Sequence, residues 1–152
     1  MQIASDYKDL LRILNKHRVR YLVVGAYAVI YYTEPRYTKD LDIWVKPDLK
    51  NAHRLFDALK EFGAPLKDIT YADFINRNLV YQIGVAPIRV DIIMGISDIK
   101  FDLAWKYKAS ATFEGTRLNV IGINQLIRSK EKSKRPSDIS DIKNLKYVLK
   151  RK

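Results

Sequence analysis

Three acids stand where a strand has least reason to keep them. Asp40-Leu41-Asp42-Ile43-Trp44-Val45 alternates strictly, so a strand there carries Asp40, Asp42 and Trp44 on one face and Leu41, Ile43 and Val45 on the other. Asp is disfavoured inside strands and two acids on one face repel, so such a strand calls for a cation between them. Asp91 lies in a second apolar run, Ile88-Arg89-Val90-Asp91-Ile92-Ile93-Met94. If the two strands pair in matching register, opposed side chains come within roughly 4.5–5.5 Å and three carboxylates converge. Hard oxygen ligands of this kind suit Mg²⁺ or Mn²⁺. Two such ions about 3.5–4 Å apart clamp the attacking and leaving oxygens of an in-line phosphoryl displacement. The reading requires residue 91 on the same side of the sheet as 40 and 42, with room for ions.

A second feature lies upstream. Tyr21-Leu22-Val23-Val24 is a short apolar run, Gly25 permits a tight turn, and Ala26 to Tyr32 reads as a short helix. Strand, glycine and helix N-terminus make a phosphate cradle, because free backbone N–H groups and the helix dipole both favour an anion.

The elements that must position these residues follow in order. The spacing of Tyr7, Leu10, Leu11 and Leu14 predicts a helix over 5–18. Glu34-Pro35 breaks the helix that follows Gly25, and 40–45 is the acidic strand. Asp48 caps a helix whose apolar face is Ala52, Leu55, Phe56, Leu59 and Phe62, and Gly63 closes it. Residues 66–75 read as loop with a short helix near 71–74. Residues 79–85 and 88–94 read as an antiparallel pair, 98–108 as a weak helix, and 111–113 with 117–121 as a hairpin. Two helices close the chain at 123–132 and 137–150, the second capped by Ser137. The expected fold is α/β (α+β): one domain over 1–152, a mixed β-sheet core at about 20–121 flanked by helices, and a helical tail at about 122–152.

Composition bounds the function. Lys and Arg total 28 against 17 Asp and Glu, a formal charge of +11 that favours a polyanionic partner, nucleic acid above all. There is no cysteine, which excludes disulfides and thiolate metal sites and fits a reducing cytoplasm. No apolar run is long enough to span a membrane, and the acidic, helical N-terminus is expected to be neither signal peptide nor anchor. His17 and His53 lack metal-ligand spacing, Trp44 reads as core or rim, and Tyr27, Tyr31 and Tyr32 read as packing.

Gly25-Ala26, a spacer of 13 residues, Asp40-Leu41-Asp42-Ile43 and the later Asp91 resemble the signature of the DNA polymerase β-type nucleotidyltransferase superfamily. Pro35-Arg36-Tyr37-Thr38-Lys39-Asp40-Leu41-Asp42 is similar to its AbiEii-like branch, which includes toxins of type IV toxin–antitoxin pairs; Leu126-Ile127, Lys130, Arg135, Asp138 and Asp141 match that branch's C-terminal pattern. The resemblance implies metal held by Asp40, Asp42 and Asp91, with Asp91 preparing the attacking hydroxyl and Lys130 neutralising phosphate. It implies nucleotide contacts from Gly25, Ala26, Arg36, Thr38, Lys39, Asp138 and Asp141. Ala26 departs from the Gly or Ser usual after the glycine, and leaves only a backbone N–H for phosphate. The implied activity is Mg²⁺- or Mn²⁺-dependent transfer of an NMP from an NTP to a hydroxyl. The acceptor would be RNA of tRNA type, with a cognate antitoxin protein as further partner. Lys130, in a basic run, also suits a solvated helix end, and Asp138 and Asp141 suit a helix start. Adenylylation of a small molecule or a protein, and a silent nucleotide- or RNA-binding module, are the alternatives. A D-x-D glycosyltransferase would need a longer chain with a preceding βαβ domain.

Overall fold

The acidic strand becomes a central strand, buried by the same alternation that exposes its acids to one another. The structure, a computed structural model, describes residues 5–35, 38, 40–85, 88–96, 98–133 and 135–151. Helix α1 (Ser5–Lys16) leads to β1 (Tyr21–Val24), α2 (Gly25–Tyr32), β2 (Asp40–Val45) and α3 (Leu49–Phe62). A 3-10 turn (Tyr71–Phe74) precedes β3 (Val80–Val85) and β4 (Ile88–Ile93), then α4 (Phe101–Lys106), β5 (Ala109–Phe113), β6 (Thr116–Val120), α5 (Ile123–Ser133) and α6 (Pro136–Lys150). The expected α/β class, the mixed sheet and the helical tail are all present.

The six strands lie in the order β3-β4-β2-β1-β6-β5. Strand β2 pairs antiparallel with β1 and parallel with β4, while β1 pairs parallel with β6, and β3–β4 and β5–β6 are antiparallel hairpins. Both faces of β2 are covered. Leu41, Ile43 and Val45 are buried, and on the other face Trp44 is buried against Phe101 of α4, edge-on at 5.2 Å. Trp44 is thus a core residue, although its indole Nε1 has no hydrogen-bond partner among the described residues.

Local chemistry sets the boundaries. Asp48 caps α3 by accepting a hydrogen bond from Asn51 N at 2.8 Å, and Gly63 ends that helix in the left-handed region at φ 91. The α6 cap differs from the expected Ser137. Pro136 fits the first helical position, its φ being preset, so the helix starts earlier with Arg135 as its cap and Asp138 accepting from Arg135 N. Helix α1 stops at Lys16 rather than 18, because Arg18 turns the chain at φ 58. The tyrosines pack as expected: Tyr27 is buried, Tyr31 and Tyr32 meet edge-on, and Tyr32 Oη donates to Ile121 O. His17 pairs with Glu61 and His53 lies against Tyr71.

Asn51 ties the entry of β1 to the exit of β2. It is buried, accepts from Arg20 N at 2.8 Å, and donates to Arg20 O and Lys46 O at 3.0 Å each. Without it, Arg20 N loses its partner and Lys46 O one of its donors, while Arg20 O still accepts from Lys46 N. Asn51→Ala is therefore expected to cost about 1–3 kcal/mol, the cost of a buried polar group left unmet. Urea denaturation should show a lowered midpoint with the slope unchanged.

Candidate active site

Gly25 ends β1 and opens α2 at φ +66, a conformation that side chains rarely adopt. A Cβ at this position would collide with Asp42 Oδ2 and lie 3.1 Å from its Cγ. The carboxylate thus sits directly on the chain reversal, in the space a side chain would fill. Strand β1 pairs Val24 with Asp42, so the acid and the start of α2 are neighbours by register. No side chain caps α2, whose N-cap is Val24. The first N–H groups of that helix, beginning at Gly25 and Ala26, remain without a capping side chain.

Across the other edge of β2, the parallel register sets Asp42 against Asp91 and Asp40 against Arg89. All three acids therefore share one face of the sheet, as the reading of 40, 42 and 91 requires. Among the described residues no group of three His, Cys, Asp or Glu side chains is arranged for a metal ion. Arg89 stands among these acids. Its guanidinium grips Asp91 with two hydrogen bonds, at 3.1 Å from Nε and 3.0 Å from Nη2, and its Nε is 3.8 Å from Asp40. Tyr7 anchors the backbone behind it, donating to Arg89 O and accepting from Arg89 N.

Asp42 has no such partner. No hydrogen bond to its carboxylate is present among the described residues, and its pKa is pushed up to about 6. Burial is the main cause, the negative charges of Asp91 and Asp40 add to it, and Arg89 and Arg135 offset part. The donor set therefore fits a divalent cation: hard carboxylate oxygens, one of them a partly buried acid that lacks a counter-charge. Arg89 stands in for that charge only at Asp91 and Asp40. Arg89 therefore pairs with Asp91 and Asp40 where the sequence reading asks for room for ions; its side chain is 35% exposed, and that of Asp91 is 14% exposed.

The C-terminal residues form a separate cluster. Lys130 is buried in α5, its Nζ 3.0 Å from both Asp138 and Asp141 of α6. Asp138 also accepts from Ser133 Oγ, Arg135 N and Arg135 Nε. Burial alone would raise the Asp138 pKa, but these hydrogen bonds and Lys130 outweigh it and hold the carboxyl well below its usual range. Lys130 thus clasps α5 to α6 from inside, while the charge of Arg135, 72% exposed, lowers the Asp42 pKa. Thr38 sits beside the acids, its hydroxyl 3.5 Å from Asp40 O. Arg36 and Lys39 lie outside the described residues. Three contributors had no assigned role beforehand: Tyr7, Arg89 and Arg135. Arg89 was open to recognition, being two residues from Asp91 and so on the same strand face.

A six-stranded mixed sheet flanked by helices, with paired acids beside a glycine at a helix start, is in keeping with the nucleotidyltransferase family that the sequence matches. Residues 3–152 match the family described as nucleotidyl transferase of unknown function (DUF2204), and the chain belongs to it. Solved structures share the fold. The lincosamide antibiotic adenylyltransferase LnuA, bound to lincomycin, is 13% identical with a TM-score of 0.61, over 96% of this chain and 98% of that one. The Thermotoga maritima protein TM1012 is 14% identical, TM-score 0.55, over 99% and 97%. An antigenic nucleotidyltransferase-like protein from Paracoccidioides brasiliensis is 15% identical, TM-score 0.58, over 94% and 77%. No curated protein matches the chain in sequence.

Two measurements test the electrostatics. A carboxyl whose folded pKa is raised favours folding in its protonated form, an advantage fully present below pH 3.8 and lost as the pH rises through about 6. In metal-free buffer at neutral pH, Asp42→Asn is thus expected to stabilise the protein by about 1–3 kcal/mol, discounted for partial exposure. The gap from wild type should shrink toward zero near pH 4. Lys130→Met, in contrast, removes the buried ammonium that two buried carboxylates share and should cost about 3–5 kcal/mol by thermal or urea denaturation.

Proposed function

We propose that the protein transfers a nucleoside monophosphate from an NTP to a hydroxyl of an acceptor, RNA in the first place, and releases pyrophosphate. One observation carries the reading: Asp42 and Asp91 are register partners on adjacent parallel strands, and Asp42 lies against the Gly25 turn that opens α2. Asp40, Asp42 and Asp91 would hold Mg²⁺ or Mn²⁺, which when bound would offset charge building up on the phosphates. The chain's own residues do the rest. The N–H groups at Gly25 and Ala26 cradle phosphate oxygens at the α2 N-terminus, close to Asp42. Arg135 supplies a further positive charge on the same side. Lys130 acts from a distance by holding Asp138, which in turn holds Arg135. Thr38, with Lys39 and Arg36 as the motif at 35–42 implies, would contact the nucleotide, and Asp141 completes the clasp. The acceptor oxygen attacks the α-phosphorus, its proton passes to Asp91, and the bond from that phosphorus to the pyrophosphate oxygen breaks.

The overall charge of +11 supports RNA as acceptor. The finer assignment to the AbiEii-like branch, with an antitoxin as partner, rests on the motifs at 35–42 and 126–141. A second reading is adenylylation of a small molecule, in line with LnuA, and a cavity of about 280 Å³ walled in part by Trp44, Met94 and Phe101 on the acid-bearing face favours it. One assay separates these. With each labelled NTP, Mg²⁺ or Mn²⁺, and total RNA, label is expected in RNA and should fall on the order of a hundredfold or more in Asp42→Ala. Label in a small hydroxyl compound or a protein instead selects the alternative acceptor. Metal-dependent NTP binding with no transfer to any acceptor selects the silent module.

A further inference from the structure

The strand that carries the acids leads at its other end into a cluster of cations. Lys46 follows β2 with the same alternation as Asp40, Asp42 and Trp44, about 13 Å beyond Asp42 at the usual strand rise. Together with Arg20, Lys50 and Arg54 it lines a depression of about 130 Å³ at the start of α3. Lys46 is compensated, by Asp102 at 3.1 Å and Asp48 at 3.6 Å. Arg20, Lys50 and Arg54 have no carboxylate within ion-pair distance among the described residues. Asp48, the acid in the depression, is already committed to capping α3.

A half-buried aromatic ring adjoins these charges. The Arg20 guanidinium stands 5.5 Å from the centroid of Trp105, and Lys108 Nζ stands 4.2 Å from it. Behind it Phe101 lies nearly parallel at 5.8 Å, which ties the ring to the core beside Trp44. Cations resting on an exposed aromatic face are held by only about 0.5–1 kcal/mol, so a flat ring of another molecule displaces them at little cost. The displaced cations are then free to meet anionic groups.

We propose that this surface, Arg20, Lys46, Lys50, Arg54, Trp105 and Lys108, docks a single-stranded polynucleotide. Phosphates lie along the uncompensated cations, a base lies on Trp105, and the strand leads past Lys46 toward the acids. The inference rests on the transfer reading only in treating the docked strand as the acceptor. A base-stacking ring among unpaired cations is what a polynucleotide needs and a small molecule does not. The cations continue from the depression to Lys108 across the Trp105 ring, which also suits a chain of phosphates. Backbone and base face are common to RNA and DNA, so the surface accepts either, and a preference for RNA would come from contacts to its 2′-hydroxyl.

The test measures binding by the full chain, without NTP or metal, to fluorescein-labelled RNA and DNA single strands of about twelve nucleotides. Anisotropy titrations between about 50 and 200 mM salt give the slope of log affinity on log salt. Neutralising Arg20, Lys50, Arg54 and Lys108 together to Gln is expected to make that slope shallower by about 2.8, at roughly 0.7 per lost phosphate contact. A control with the same loss of charge, Lys60→Gln, Lys67→Gln, Lys143→Gln and Lys150→Gln, should leave it unchanged. Trp105→Leu should weaken binding about fivefold or more. It should also abolish quenching of tryptophan fluorescence by the strand, since Trp44, the other tryptophan, is 1% exposed. Equal slopes in the patch and control variants, or full affinity in Trp105→Leu, overturn the proposal. So does a wild-type protein that transfers nucleotide to a small hydroxyl compound yet binds neither strand, in which case the transfer reading survives alone. Strand binding that depends on the patch, without nucleotide transfer, upholds the docking surface and removes the transfer reading.

Discussion

The contact between Gly25 and Asp42 is the constraint on which the site depends. A buried carboxylate is packed against a backbone that has no Cβ, at a turn with positive φ. That closeness is possible because β1 pairs with β2 so that Val24 faces Asp42, and because the chain reverses into α2 at the next residue. The β2–β4 register then adds Asp91 on the far side. The β1–β2 pairing, the β2–β4 pairing and the turn must all hold for the acid to stand between a helix N-terminus and a second acid. The fold secures this with apolar neighbours: Leu41 and Ile43 are buried on either side of Asp42 along the strand.

Repulsion among the acids is balanced by cations from two directions. Arg89 approaches from β4 and binds Asp91 with both arms, while Arg135 approaches from the α6 cap. Asp42 benefits least, and its raised pKa records the imbalance. A carboxylate kept under-neutralised at the centre of a sheet destabilises the fold, and such local conflict is expected where a site must take up a charged ligand. Arg89 moderates the conflict at Asp91 and Asp40.

The pattern of 40–45 carried the strand, its two faces and the buried position of Trp44, and the apolar run before Gly25 carried β1 and the turn. The two antiparallel hairpins were legible from their short connections, but the direction of the β2–β4 pairing was not, because alternation within a strand is the same whether its neighbour runs parallel or antiparallel. It took the parallel β2–β4 pairing to set Arg89 opposite Asp40. Lys130 was obscured by its neighbours in sequence: Arg128-Ser129-Lys130-Glu131-Lys132 reads as solvated. Yet Lys130 follows Leu126 by four positions and Ile127 by three, which places it on the buried stripe of α5. That spacing was the available signal, and Asp138 and Asp141 on α6 were the partners it needed.

The clasp around Lys130 has a consequence for the acids as well as for the tail. Buried ion pairs contribute little net stability, because desolvation consumes most of what attraction supplies. What the clasp does supply is position. Asp138 receives Lys130 from α5, and it receives both the backbone and the side chain of Arg135 at the start of α6. The joint between the two helices is thereby fixed at a residue whose charge lowers the Asp42 pKa from outside the sheet. An apolar substitute could pack α5 against α6 equally well, but it would not hold a guanidinium at that joint. The costly buried charges of the tail and the under-neutralised acid of the sheet are therefore coupled: the first fix the cation that offsets part of the charge of the second.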